Sequence, residues 1–142
     1  MSIYIVDASV AAKWFFDEGH GTQDALHLLS NKHHLHAPDL LLVEFDNITL
    51  KRVRRNETTA DQANVIRKAI RKITVGLHGN VPLLEPAYEI ALETGASIYD
   101  SLYVALAALM EAPVVTADRR LFNVLANGRF DRRVLLLEDL PE

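Results

Sequence analysis

The chain has no cysteine. Disulfides and thiolate metal sites are therefore excluded, and a reducing, cytoplasmic compartment is the simplest expectation. Nor is there a long apolar run. Nothing approaches the roughly 20 residues that cross a bilayer, and no basic segment followed by an apolar one opens the sequence. A membrane is accordingly not expected as a partner. Repeats, low-complexity tracts and linkers are missing too. The only concentration of histidine, His33, His34 and His36, has no further ligands nearby and reads as a polar loop entering a strand. A net charge of −4 excludes a uniformly basic nucleic-acid binder.

What is present is an ordinary globular composition. The 142 residues, 49% hydrophobic and 24% charged, predict one domain over 1–142 with its own core. The 15 basic residues are grouped: Lys51-Arg52-Val53-Arg54-Arg55, Arg67-Lys68 with Arg71-Lys72, Arg119-Arg120, and Arg129 with Arg132-Arg133. Such groups are either solvated helix faces and C-terminal turns or local phosphate-binding patches.

Apolar periodicity alternates between helix and strand. Strands are expected at Ser2–Val6, His34–Ala37, Val81–Leu84, Val114–Thr116 and Val134–Leu137. Helices are expected at Ala8–Phe16, at Thr22–Ser30, from Pro38 to about Arg55, and from Thr58 or Thr59 through Ile73. Three more are expected at Pro86–Glu93, Tyr99–Met110 and Asp118–Ala126, with Gly76–Asn80 as a break. Leu102, Ala105, Leu106 and Leu109 form the core stripe of the penultimate helix. This alternation predicts an α/β fold with a parallel sheet covered by helices on both faces.

Acidic residues stand out against that frame. Asp7 and Asp118 each follow an apolar strand and open a helix, which places both at the carboxyl edge of the sheet, where sites of open α/β folds form. Asp100 lies in the first turn of its helix. Glu44 lies about two turns into its own, flanking the stripe of Leu41, Phe45 and Ile48, with Asn47 on the same face. Each has a purely structural reading: helix caps for Asp7 and Asp118, a macrodipole partner for Asp100, and a surface glutamate for Glu44. Gathered in one pocket, however, these carboxylates raise one another's pKa unless a cation is present. Oxygen ligands without thiolates or a histidine constellation select Mg²⁺ or Mn²⁺. Such ions activate water and bridge carboxylates to phosphates, the chemistry of phosphodiester hydrolysis.

At these residues the sequence resembles the PIN-domain ribonucleases, specifically the VapC-type toxins of toxin–antitoxin pairs. The segments that carry the resemblance are Ile5-Val-Asp-Ala-Ser-Val10 with Lys13-Trp14, Glu44-Phe-Asp-Asn47, Tyr99-Asp-Ser-Leu-Tyr-Val-Ala-Leu106 and Val115-Thr-Ala-Asp-Arg-Arg-Leu121. Each is short, but the four occur in the family's order across the chain. The resemblance implies a PIN fold with a central parallel sheet of about four or five strands flanked by helices, and an endoribonuclease dependent on Mg²⁺ or Mn²⁺. It makes Asp7, Glu44, Asp100 and Asp118 the acidic quartet, with Ser9, Asn47 and Thr116 as supporting groups. It also implies an RNA substrate, a cognate antitoxin docking near the Trp14-Phe15-Phe16 run, and a homodimer using the helix from Pro38 or that from Thr58. Asp46, where relatives often carry a small apolar residue, is either a fifth acidic neighbour or a solvent-facing one. Arg119 and Arg120 either touch phosphate or face solvent. Three alternatives stand beside the toxin reading. They are a PIN nuclease outside a toxin–antitoxin pair, a metal-dependent phosphohydrolase with Asp7 as nucleophile, and a non-catalytic scaffold. The second lacks the paired aspartate expected in Asp7-Ala8-Ser9, and the third has no need of four carboxylates.

Overall fold

Five short strands build one wholly parallel sheet in the order β3-β2-β1-β4-β5 in the computed structural model, which describes residues 2–30 and 32–141. They are β1 (Ser2–Val6), β2 (His33–Pro38), β3 (Val75–His78), β4 (Val114–Thr116) and β5 (Val134–Leu136). The central strands are continuous apolar runs because helices cover both faces. Ile5, Val6, Val114 and Val115 are completely buried. The helices are α1 (Ala8–Lys13), α2 (Thr22–His27), α3 (Leu40–Arg54), α4 (Ala60–Ile70), α5 (Leu84–Thr94), α6 (Ile98–Met110) and α7 (Arg119–Leu125). Helix α6 is the most deeply set, with every residue from Ser101 to Ala107 buried. The expected α/β class and parallel sheet are therefore present. No helix of the described residues is long and apolar enough to cross a membrane.

The strand order decides where the site lies. β1 is flanked by β2 on one side and β4 on the other, so the chain winds away from β1 in both directions. Loops leaving β1 and β4 part company there and open a crevice at their carboxyl ends, the switch point of an open α/β sheet. Val6 pairs with Val115, so the residues that follow each strand face one another.

Several elements differ from the sequence expectation. Val81–Leu83 is a 3-10 turn rather than a strand, and the third strand is Val75–His78, overlapping the stretch read as a break. Gly76 interrupts nothing. It lies beside His36 in the β2–β3 register, and a Cβ there would come within 2.6 Å of His36 Nδ1. The missing side chain lets the His36 ring lie over β3 and meet His78, Nδ1 to Nε2, at 2.9 Å. Burial, then the neighbouring His78 and His34, hold the His36 pKa below its usual value. His34 and His36 lie in the strand expected for them, and His33 joins it as its first residue rather than preceding it in a loop. Pro38 ends β2, and α3 begins at Leu40, which puts Glu44 little more than one turn into its helix rather than two. Helices α1, α2 and α4 end at Lys13, His27 and Ile70, earlier than expected. Leu109 is 71% exposed and not part of the core stripe.

The aromatic run is also mostly accounted for. Trp14 is buried and donates from Nε1 to the Ala25 carbonyl at 2.8 Å. Phe15 packs edge-on to Phe45, and Phe16 lies under the Arg52 guanidinium, 4.1 Å from ring centre. None of the three side chains is exposed, so the run leaves no open aromatic patch where the antitoxin was expected to dock.

Candidate active site

Asp7 is the first residue past β1 and caps α1. Its Oδ1 accepts from the Val10 backbone N–H at 3.2 Å and the Ser9 hydroxyl at 2.6 Å. Its Oδ2 accepts from the Thr116 hydroxyl at the end of the neighbouring β4. Thr116 in turn accepts from the Asp118 backbone N–H at 3.0 Å, and Ser9 from the Ala117 N–H at 3.1 Å. Two hydroxyls therefore stitch the β1 and β4 exits together around one carboxylate. Capping and site formation are the same geometry, so the structural reading of Asp7 does not compete with the functional one. The position has a thermodynamic cost. Burial pushes the Asp7 carboxyl up to about 6, against the lowering effect of its hydrogen bonds and with Glu44 adding to the rise.

Glu44 enters from α3. It is half-buried, and its Oε1 accepts from the Tyr103 hydroxyl of α6 at 2.6 Å. Burial raises its pKa, Tyr103 opposes the rise, and the charge of Asp100 adds to it. Tyr103 is the group that sequence reasoning missed. It stands three residues after Asp100, on the same side of α6. Burial and then the Glu44 charge hold its phenol well above the usual value, so it stays a donor.

Asp100 and Asp118 form the outer half of the pocket. Ser97 caps α6 by accepting from the Asp100 N–H at 3.0 Å, which fixes the first turn that presents Asp100. Asp118 caps α7, accepting from the Arg120 N–H at 2.9 Å. The Arg120 guanidinium then bridges the two carboxylates, Nη2 lying 3.2 Å from Asp100 and 3.1 Å from Asp118. Arg120 is thus a counter-charge of the site rather than a bystander, while Arg119 pairs with Glu138.

The quartet therefore forms a chain of neighbours: Asp7 senses Glu44, Glu44 senses Asp100, and Arg120 joins Asp100 to Asp118. Among the described residues no three carboxylates or imidazoles converge as a closed metal cage. The donor set is nonetheless of the kind Mg²⁺ and Mn²⁺ take, one or two carboxylates completed by water and phosphate oxygens. Asp7, in the interior, makes no ion pair with a basic side chain among the described residues. Asp46 is not in the pocket: Arg67 of α4 grips it through Nε at 2.8 Å and Nη2 at 2.6 Å, and this holds its pKa below the usual value. Asn47 is exposed and makes no side-chain hydrogen bond among the described residues, so it supports none of the carboxylates here.

A sequence profile for the PIN domain matches residues 4–127. Ribonuclease VapC3 of Pyrobaculum aerophilum is 32% identical over 119 residues, spanning 82% of this chain and 90% of its own. Among solved structures, VapBC2 of Rickettsia felis bound to a promoter DNA fragment has a TM-score of 0.66 at 14% identity, covering 94% of this chain and 98% of its own. The Mycobacterium tuberculosis toxin VapC20, which cleaves the sarcin-ricin loop, has a TM-score of 0.61 at 20% identity, covering 89% and 92%.

Proposed function

The chain belongs to the PIN-domain family, and on that premise we propose that it is an endoribonuclease, the toxin of a toxin–antitoxin pair, with Mg²⁺ or Mn²⁺ as cofactor. One observation carries the reading: Asp7 and Asp118 leave adjacent parallel strands at the switch point and are joined through Thr116. A fold has little reason to bury a carboxylate there without a counter-ion. The ribonuclease reading rests on the relatives of that name. The antitoxin partner rests on solved complexes of similar fold, such as the Klebsiella pneumoniae toxin–antitoxin complex.

When bound, a divalent cation lowers the pKa of a water and neutralises charge on a transferring phosphate. The chain's own contribution is positional. Ser9 and Thr116 each donate to one oxygen of Asp7 and so fix the orientation of its carboxylate. Tyr103 holds Glu44 Oε1, and Oε2 accepts no hydrogen bond among the described residues. A glutamate whose pKa is raised by burial is better matched to accepting a proton from water near neutral pH. Arg120, 65% exposed along its side chain, is free to turn from the carboxylates to a phosphate. A second copy as partner fits the apolar side chains left exposed on α5 and α6, Tyr88, Leu92 and Leu109. The helices first expected at that interface expose less, chiefly Val43 on α3 and Val65 on α4.

The test is cleavage of RNA in Mg²⁺ or Mn²⁺, with EDTA as control. Asp7→Asn and Asp100→Asn are expected to abolish cleavage with the circular dichroism spectrum unchanged. Full activity in either variant, or cleavage undiminished in EDTA, overturns the assignment.

A further inference from the structure

Helix α3 carries more than Glu44. Seven residues on, Lys51 returns to within about 20° of Glu44 around the helix axis, and Arg55, eleven residues on, to within about 20° on the other side. Arg55 closes the helix and still donates its N–H to the Lys51 carbonyl, at 3.0 Å, so it stays on the helical path. All three side chains therefore lie in one line along a single edge of α3. Asn47 projects beside it, exposed, on the turn between Glu44 and Lys51.

This edge is free. Lys51 and Arg55 are exposed and make no ion pair among the described residues, whereas Arg52, one position round, is held by Glu18 at 2.6 Å and lies over Phe16. The opposite edge is committed to α4 through Asp46 and Arg67. Spacing supplies the rest. At about 1.5 Å of rise per residue, Lys51 lies roughly 10 Å beyond Glu44 and Arg55 about 6 Å further. That last interval is commensurate with successive phosphates of an extended single strand.

We propose that this edge of α3 is a backbone track for single-stranded RNA. It rests on the endoribonuclease reading of the acidic pocket. With the cleaved phosphate at Glu44, Asn47 faces the next phosphate, and Lys51 and Arg55 neutralise the two beyond it. The track reads no base. It sets how the strand lies and how far it must extend to bind well, and it explains how an acidic protein holds a polyanion. Being single cationic contacts to phosphate, both are governed by charge rather than shape.

The experiment compares wild-type protein with the Lys51→Gln, Arg55→Gln double variant on two single-stranded oligoribonucleotides. Both contain a bond the wild type is first shown to cleave in total cellular RNA. One spans only that bond, and the other extends across the track on both sides. Binding is read by fluorescence anisotropy in EDTA, and cleavage in Mn²⁺. Each lost phosphate contact removes about 0.7 from the slope of log affinity against log salt, which at about 0.1 M salt is roughly fivefold per contact, so about 25-fold for two. The expected result is that weakening for the long RNA, a salt slope lower by about 1.4, and a raised KM with kcat unchanged. The short RNA is expected to bind and react equally with both proteins, and the charge-conserving Lys51→Arg, Arg55→Lys variant to behave as wild type. Equal affinity of double variant and wild type for the long RNA, or an equal loss on both RNAs, overturns the track while leaving the nuclease intact. A wild type that cleaves no RNA overturns the ribonuclease reading and the track with it.

Discussion

Asp7→Asn should make the metal-free protein more stable, and the gain should grow with pH. The wild-type carboxyl is held at about 6, against 3.8 when unperturbed, chiefly because it is buried. The folded state therefore binds that proton more tightly than the unfolded chain. Its contribution is complete below the unfolded pKa and is lost as pH rises through the folded one. The whole difference corresponds to about 3 kcal/mol, of which about 2 falls between about pH 4.5 and about pH 7.5. Asparagine keeps the shape and an acceptor for Ser9 and Val10, and it has no charge to desolvate. The charge-assisted bonds of the carboxylate are already contained in its pKa of about 6, so the variant should be near wild type at the acid end and more stable by about 2 kcal/mol at the other. Urea unfolding in EDTA at several pH values measures both proteins, and their difference isolates Asp7 from every other titrating group. A difference that stays flat with pH, or a variant less stable at pH 7.5 than at pH 4.5 relative to wild type, would refute the claim that Asp7 is an uncompensated buried charge. Saturating Mn²⁺ should reverse the order, raising the melting temperature of the wild type and leaving that of the variant in place.

Tyr103→Phe removes only the hydroxyl that fixes Glu44, and RNA cleavage should fall by roughly 10- to 100-fold in kcat, as for other groups that orient a metal-binding carboxylate. Unchanged kcat would mean that Glu44 is positioned by something else. Arg120→Ala takes the guanidinium from between Asp100 and Asp118. The Mn²⁺ concentration for half-maximal thermal stabilisation should drop several-fold, since no side chain must be displaced; a higher midpoint would contradict this. Asp46→Asn breaks a pair that is about one-third exposed on each side. It should cost no more than about 1 kcal/mol by urea unfolding and leave cleavage intact, whereas loss of cleavage would return Asp46 to the pocket.

Asp7 and Asp118 were legible because two independent signals coincide at each: an apolar strand ends there and a capped helix begins. Their contact needed only that β1 and β4 be neighbours, which the order of the strands supplies. Ser9 and Thr116 were legible through the family motifs alone, since a hydroxyl has no pattern of its own. Tyr103 was hidden by its surroundings, as an aromatic within a run of buried apolar residues reads as core, and it is both core and donor. β3 was misplaced because glycine in a short strand looks like punctuation. What Gly76 provides is room for a ring 40 residues away, a relation no local pattern holds. Leu109 shows the same gap on a helix: periodicity gives the direction of a side chain but not where the neighbour that covers it stops. Arg120 and Asp46 were undecidable because an ion pair depends on which charged groups meet across elements.

The Arg120 bridge also bears on how the chain folds. The quartet is drawn from residues 7, 44, 100 and 118, so the pocket closes only when the final third of the chain docks on β1. Bringing Asp118 up to the other three carboxylates is a step that like charge opposes. Arg120 arrives on the same short helix, two residues behind Asp118, and reaches back to Asp100 as well. The segment that completes the acidic site thus carries its own neutralising charge, and assembly does not have to wait for a cation from outside.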